Sequence, residues 1–408
     1  MIPDQTHDTA ARAEAFIEAH LFDAQGIMYS AVDVRTGEPF TRDFITPIKV
    51  PRRADIDPWA YWTYEDSIMG MGQYIDALVL KHEVTGDAAA LERCAAVWRV
   101  VRNVFSSSQV HGIGSFLRPY GGYVTMHDFL EPLGTDQAGP LFHGLYRYLA
   151  HADALTRRRI ADLLLKTLDW YERQGFEYFY YKFMIHSWEP GEGPVIHNAS
   201  YYLPAIAWAS QHTGNAKWAA HLQERLARFT RGEQSVYDGF HWASDLPILR
   251  NILGHAFDAA FPAAVLQAGF DRAMKELAAY DQPGMTRFMC PEAKTDANFR
   301  PGLSANFDRR QSMGFAYFAT RHHGRSRPRH ERLHLCALAA VGVPDAYEKA
   351  IEVLNAWQRV PEDFTAFAIE DYDRLPETVH LYSRSVGIGL VGWLRDYWLL
   401  RKVELEAR

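Results

Sequence analysis

The chain has 408 residues, enough for one large domain or two to three small ones. Apolar residues make up 48% and charged residues 23%, an ordinary globular balance, and a formal net charge of −7 argues against nucleic acid as the main partner. No apolar run reaches the ~18 residues of a membrane span, and "MIPDQTHDTAARAEAF" lacks the basic and then apolar regions of a secretory leader. Cys94, Cys290 and Cys336 are odd in number, far apart and outside any CxxC. That pattern predicts reduced thiols in a cytosolic protein.

The first segment, "DTAARAEAFIEAHLF", predicts a helix with Phe16 and Ile17 facing inward. Residues 26–45 alternate and predict a small β-hairpin. From Tyr64, ring-bearing and apolar residues fall at Tyr64, Ile68, Met71, Ile75, Leu78 and His82, a steady three–four spacing. The opposite side carries Met69, Gly70, Gly72, Ala77 and Val79, so this helix is apolar nearly all round and predicted buried. After the turn "HEVTGD", a helix from about Asp87 to Phe105 sets Leu91, Cys94, Trp98 and Val101 against Glu92, Arg93, Arg99 and Arg102. That is a surface helix with one buried wall.

The buried-then-amphipathic pair recurs. "AGPLFHGLYRYLAH" precedes "TRRRIADLLLKTLDWYER", and "NASYYLPAIAWASQ" precedes "NAKWAAHLQERLARF". Thr85 and Thr213 sit in like turns, "HEVTGDAAALE" and "QHTGNAKWAAH", two steps of roughly 64 residues apart. "ASDLPILRNILGHAFDAA" and "NFDRRQSMGFAYFATRHH" read as the next two buried helices, each followed by amphipathic segments. "YSRSVGIGLVGWLRDYWLL" is the last buried helix and has no outer partner after it, which the N-terminal helix supplies. Six buried and at least six outer helices predict an all-α fold over residues 1–408. The predicted arrangement is a single (α/α)6 barrel, or six-hairpin toroid, closed by joining the chain ends. Long aromatic loops at 106–133, 175–197 and 281–305 are predicted to shape a site.

In such a barrel every inner helix starts at one end, so the polar residues ahead of each should converge on one mouth. They are Tyr64, Glu65 and Asp66; Thr135, Asp136 and Gln137; His197 and Asn198; His241, Trp242 and Asp245; Asn306, Asp308, Arg309 and Arg310; and Tyr382, Ser383 and Arg384. Thr63 with Asp66 also fits a capping-box spacing, and acids in a first turn suit the helix dipole. The dipole disfavours cations there, so Arg309, Arg310 and Arg384 point to an anionic ligand. Aromatic residues reach 13%, enough both to fill a large core and to stack on sugar rings. His330 and His334 have helical i, i+4 spacing but lack a third ligand, so no metal and no cofactor is expected.

"YEDSIMGMGQYIDALVLKHEVTGDAAALERC" and "GTDQAGPLFHGLYRYL", with the repeated inner–outer pattern over nearly the whole chain, resemble the six-hairpin glycosidase superfamily. The two segments are similar to bacterial proteins related to unsaturated glucuronyl hydrolases and exo-acting β-glucuronidases. The resemblance implies an (α/α)6 barrel with a carbohydrate pocket at the inner-helix N-termini, often selective for uronic acids.

The expectation is therefore a cytoplasmic glycoside hydrolase acting on a small uronic-acid-containing saccharide. Glu65 or Asp66, Asp136 and Asp308 are the candidate acids and bases. Tyr64, Gln137, His197 and Asn198 would orient hydroxyls. Arg309, Arg310 and Arg384 would hold the carboxylate, and Trp62 or Trp242 would stack on a ring, with Tyr382 at the rim. A β-eliminating lyase and a sugar epimerase on the same barrel are the rival chemistries, and a non-enzymatic carbohydrate-binding role is the third. The expected partner is the saccharide, without nucleic acid or membrane; a homodimer is compatible with the sequence.

Overall fold

The computed structural model describes residues 1–45, 57–122, 133–176, 178–180, 183–185, 199–230, 242–280, 286–290, 316–320, 329–365 and 384–407. Among them helix predominates. Fifteen α-helical segments are described: α1 Asp4–His20, α2 Arg42–Ile45, α3 Pro58–Tyr64, α4 Ser67–Thr85, α5 Ala88–Val110, α6 Thr135–Leu149, α7 Ala154–Arg173, α8 Ala199–Thr213, α9 Ala216–Thr230, α10 Trp242–Leu253, α11 Phe257–Ala260, α12 Ala263–Tyr280, α13 Arg329–Ala340, α14 Ala346–Asn355 and α15 Ile388–Glu406. No helix among the described residues is long and apolar enough to cross a membrane.

The two like turns fold alike. After α4, Gly86 takes φ +74°, and after α8, Gly214 takes φ +61°, the left-handed backbone that ends a helix and that glycine adopts without a Cβ penalty. Thr85 Oγ1 donates to Lys81 O, and Thr213 Oγ1 donates to Ala209 O, each at 2.7 Å. The next residue, Asp87 or Asn215, then accepts an N–H two residues on and starts the following helix. Asp153 does the same for α7, accepting from Leu155 N and Thr156 N.

The helices apolar on most sides pack together. α4 lies against α6, α6 against α8, α8 against α10, α10 against α13, α13 against α15, and α15 against α4. The amphipathic helices lean on this set: α5 on α4, α7 on α6 and α8, α9 on α8, α12 on α13, α14 on α13 and α1 on α15. In α5 the buried stripe is Cys94, Val97, Trp98, Val101 and Val104; in α1 it is Ala10, Ala13 and Ile17, with Phe16 half-buried.

α4 and α6 approach most closely. A Cβ built at Gly144 would overlap the Gly72 carbonyl oxygen, and one at Gly72 would overlap the Leu141 backbone. Only glycine allows two helix backbones so near each other. The pairs Asp66–Gln137 and Asp76–Arg147 flank that contact at one offset of 71 residues, so the two helices run parallel and in register. This offset exceeds the roughly 64-residue step read from the turns, because α5 runs on to Val110 and the connection to Gly134 is long.

Three expectations are corrected. Residues 26–45 do not pair as a hairpin: the chain turns back at Asp33, whose N–H donates to Glu38 O, but strand β1 (Ala31–Asp33) finds its ladder partner at the far end of the chain. That partner is Ser385–Gly387, antiparallel, with Val32 opposite Val386. The chain ends are thus tied by this pair and by α1 on α15. Second, the described part of "NFDRRQSMGFAYFATRHH", residues 316–320, is not helical. Ala316–Thr320 is a strand paired with Thr286–Cys290, as its aromatic alternation suits. α13, read as an outer segment, packs between α10 and α15 instead. Third, α4 begins at Ser67 and not Tyr64, because α3 ends there.

Gly144→Ala is expected to destabilise the chain by about 1–3 kcal/mol, the usual cost of forcing a methyl group into a closed contact. Urea unfolding measures it; an unchanged midpoint would show that the two backbones can separate freely.

Candidate functional site

The acids at the start of α4 sit in a junction between two helices. Asp57 caps α3, its side chain accepting from Trp59 N, and Pro58 follows at the first helical position. α3 ends at Tyr64, and after two intervening residues α4 starts at Ser67. Asp66 holds the N-cap position of α4 without making a side-chain cap bond. Thr63 makes no capping box with it: it lies inside α3, and its buried hydroxyl has no hydrogen-bond partner among the described residues. Ser30, next to β1, fixes the junction. Its hydroxyl accepts from Asp66 N–H at 2.7 Å, and its own N–H donates to Thr63 O at 2.7 Å.

Asp66 turns its carboxylate to α6. Gln137 Nε2 donates to Asp66 Oδ1 at 2.6 Å and to Glu65 O at 3.0 Å. Gln137 is fully buried in the first turn of α6, and its Oε1 has no hydrogen-bond partner among the described residues. Glu65 Oε1 accepts from Arg118 Nη1 at 2.7 Å, and the Arg118 side chain is 0% exposed against 17% for Glu65. The exposed edge of the cluster is therefore a carboxylate, with the guanidinium behind it.

The other expected site residues are distributed as follows. Tyr64 is buried in an aromatic cluster with Tyr61 and Tyr120, and its hydroxyl donates to Asp23 Oδ2 at 3.1 Å. Burial first, and the Asp23 charge second, raise that hydroxyl above the ordinary tyrosine range. Trp62 meets Tyr61 edge-on at 5.1 Å and packs towards Phe40 and Ile45. Arg384 forms an ion pair with Asp33 and lies 4.4 Å from the Phe44 ring centre, so this cation is held by the strand pair. Asp136 stands in the first turn of α6 and Trp242 at the start of α10, their side chains outside the described residues. His197, Asn198, Asp308, Arg309, Arg310 and Tyr382 lie outside the described residues too. In sequence, Asp308, Arg309 and Arg310 fall between the paired strands Thr286–Cys290 and Ala316–Thr320.

Deeper between the helices lie further polar groups, and Asp245, expected at the mouth, is buried among them instead. His143 on α6 and Asp245 on α10 share a hydrogen bond of 2.8 Å, both buried. Asp76 lies 2.6 Å from Arg147 Nε, and Arg395 pairs with Asp396 at 2.9 Å. Burial pushes the Asp245 carboxyl well up. Burial, and then the Arg395 and Arg147 charges, push His143 well down. Both shifts disfavour the charged forms of the pair. Asp76 is also raised by burial, against the pull of Arg147 and Arg395. The signal for all of these was a charge or imidazole inside an otherwise apolar helix, as in "YIDALV" and "GWLRDYW".

A lowered imidazole fixes a pH dependence. Below the ordinary histidine value of about 6.5, the unfolded chain takes up a proton at His143 that the folded chain refuses. Stability from this group is present above that value and is lost as pH falls. The stability difference between wild type and His143→Gln should shrink by about 1.4 kcal/mol per pH unit below it. Urea titrations at several pH values read this directly; a constant difference would mean that His143 protonates freely in the fold.

Comparison of the chain with protein-family models, with curated proteins and with solved structures returned no match.

Proposed function

We propose that the chain is an (α/α)6-barrel glycoside hydrolase that cleaves a small saccharide, with preference for one containing a uronic acid. One observation carries this reading: Asp66 stands at an N-cap position, leaves the cap unmade, and is joined to a neighbouring helix start by Gln137. The cyclic order of helix contacts, from α4 round to α15 and back, supports the barrel. The parallel register of α4 and α6 supports a common mouth for their N-termini. A cytosolic setting fits the free, buried thiol of Cys94.

Hydrolysis of a glycosidic bond needs one carboxyl group to protonate the leaving oxygen and a second to activate water or attack the sugar carbon. Asp66, oriented by Gln137, takes the second role. Asp136 precedes Gln137 on the adjacent helix and takes the first. Glu65, backed by Arg118, lies one residue from Asp66 and accepts a hydrogen bond from a sugar hydroxyl. The C–O bond breaks, its proton comes from Asp136, and water supplies the new hydroxyl at the anomeric carbon. Asp308 keeps the place of a third acid. The preference for uronic acids rests on Arg309 and Arg310, since Asp33 engages Arg384.

Turnover on a panel of uronic-acid and neutral disaccharides tests the proposal. Asp66→Asn and Asp136→Asn should each lower kcat by about 10²–10⁴-fold, the usual worth of a positioned acid or base, with the circular-dichroism spectrum unchanged. Full turnover in both variants would overturn the acid assignment. A product carrying an unsaturated, ultraviolet-absorbing sugar end would overturn hydrolysis itself.

A further inference from the structure

At the opposite end of the same helices is a cavity of about 570 Å³. It opens among the C-terminal turns of α6, α10, α13 and α15, away from Asp66 and Gln137, which stand at helix starts. Among its described lining residues are four basic groups, Arg147, Arg250, His255 and Lys402, and two acids, Asp258 and Glu406. The volume falls in the range of small-molecule sites.

The acids do not neutralise the guanidiniums. Lys402 is engaged by Glu83 and by Glu406, the latter at 3.6 Å. Arg147 directs Nε at Asp76, 2.6 Å away, with its side chain 8% exposed, and no described residue accepts a hydrogen bond from its Nη atoms. Arg250 is exposed and has no ion pair or hydrogen bond among the described residues. Two planar donor forks thus border one cavity without acceptors for their outer edges. Helix C-termini alone would draw cations to this end, but they do not call for a cavity between them. A carboxylate or phosphate takes two parallel hydrogen bonds from such a fork, which an ammonium cannot give.

We infer that this cavity is a second binding site, for a small molecule bearing a carboxylate or phosphate group, with Arg147 at its floor and Arg250 at its mouth. The site is independent of the carboxylate cluster at the helix starts and of the reaction proposed there.

Isothermal titration of the full chain with inorganic phosphate and with malonate, at ionic strength fixed with sodium chloride, tests the inference. At least one of the two anions should bind saturably. Arg250→Ala should weaken that binding by about tenfold or more, the worth of a charge-assisted contact. Arg158→Ala, which removes an exposed cation from the outer helix α7, should leave it as in wild type. Saturation by phosphate alone assigns a phosphate-bearing ligand, by malonate alone a carboxylate, and by both the shared oxyanion chemistry. Absence of saturation with either anion, wild-type affinity in Arg250→Ala, or equal weakening in Arg158→Ala would overturn it.

Discussion

The contact between Gly72 and Gly144 governs the geometry of both polar regions. With no Cβ on either glycine, the backbones of α4 and α6 touch, and the two helices cannot slide along each other without a clash. Everything at a fixed distance from that contact is then in register. Toward the helix starts, Gln137 meets Asp66; one turn the other way, Asp76 meets Arg147. A methyl group at either glycine would push the helices apart, and hydrogen bonds as short as that of Gln137 do not stretch far before they fail. Packing and polar chemistry therefore depend on the same two residues.

The apolar surroundings explain why the interior charges come in pairs. An ionised group buried alone costs several kcal/mol, so buried charges persist only with a partner and further hydrogen bonds. Arg118 lies behind Glu65, Arg147 beside Asp76 and Arg395 beside Asp396. At His143 and Asp245 burial acts on both in the direction that removes charge. The join between the chain ends follows the same logic: Arg384, shortly before α15, is neutralised by Asp33 as β1 pairs with Ser385–Gly387.

Helix positions were legible where one physical signal acted alone. Apolar periodicity located α4, α5 and α7, and the Thr-Gly-Asp and Thr-Gly-Asn turns located the helix ends, since glycine and a short polar cap leave little choice of conformation. A helix was expected in "MGFAYFAT" because aromatic alternation and helical spacing overlap there, and strand pairing of Ala316–Thr320 with Thr286–Cys290 decided the matter at a distance. The N-terminal strand failed for the same reason, its partner lying some 350 residues away along the chain. The helix-start rule singled out Glu65, Asp66 and Gln137, which the structure brings into contact. It could not find Arg118, a loop residue whose place depends on tertiary packing. It also could not foresee that Tyr64 and Arg384 would be engaged by Asp23 and Asp33.

The placement of acids at helix starts and cations at helix ends is what the helix dipole favours, so distribution alone does not identify a site. Bonding does more to separate the readings. Asp87 and Asp153 at other helix starts make the cap bonds expected of them. Asp66, at the equivalent position, makes none. A forgone cap costs about 0.5–2 kcal/mol, and a carboxylate in that position has the chemistry to form one. Its oxygen is held instead by the buried amide of Gln137, from a helix whose register the glycine contact fixes. Stability of α4 alone would favour the cap. Asp66 is instead drawn to Gln137 and sits beside Glu65, with the buried Arg118 guanidinium behind.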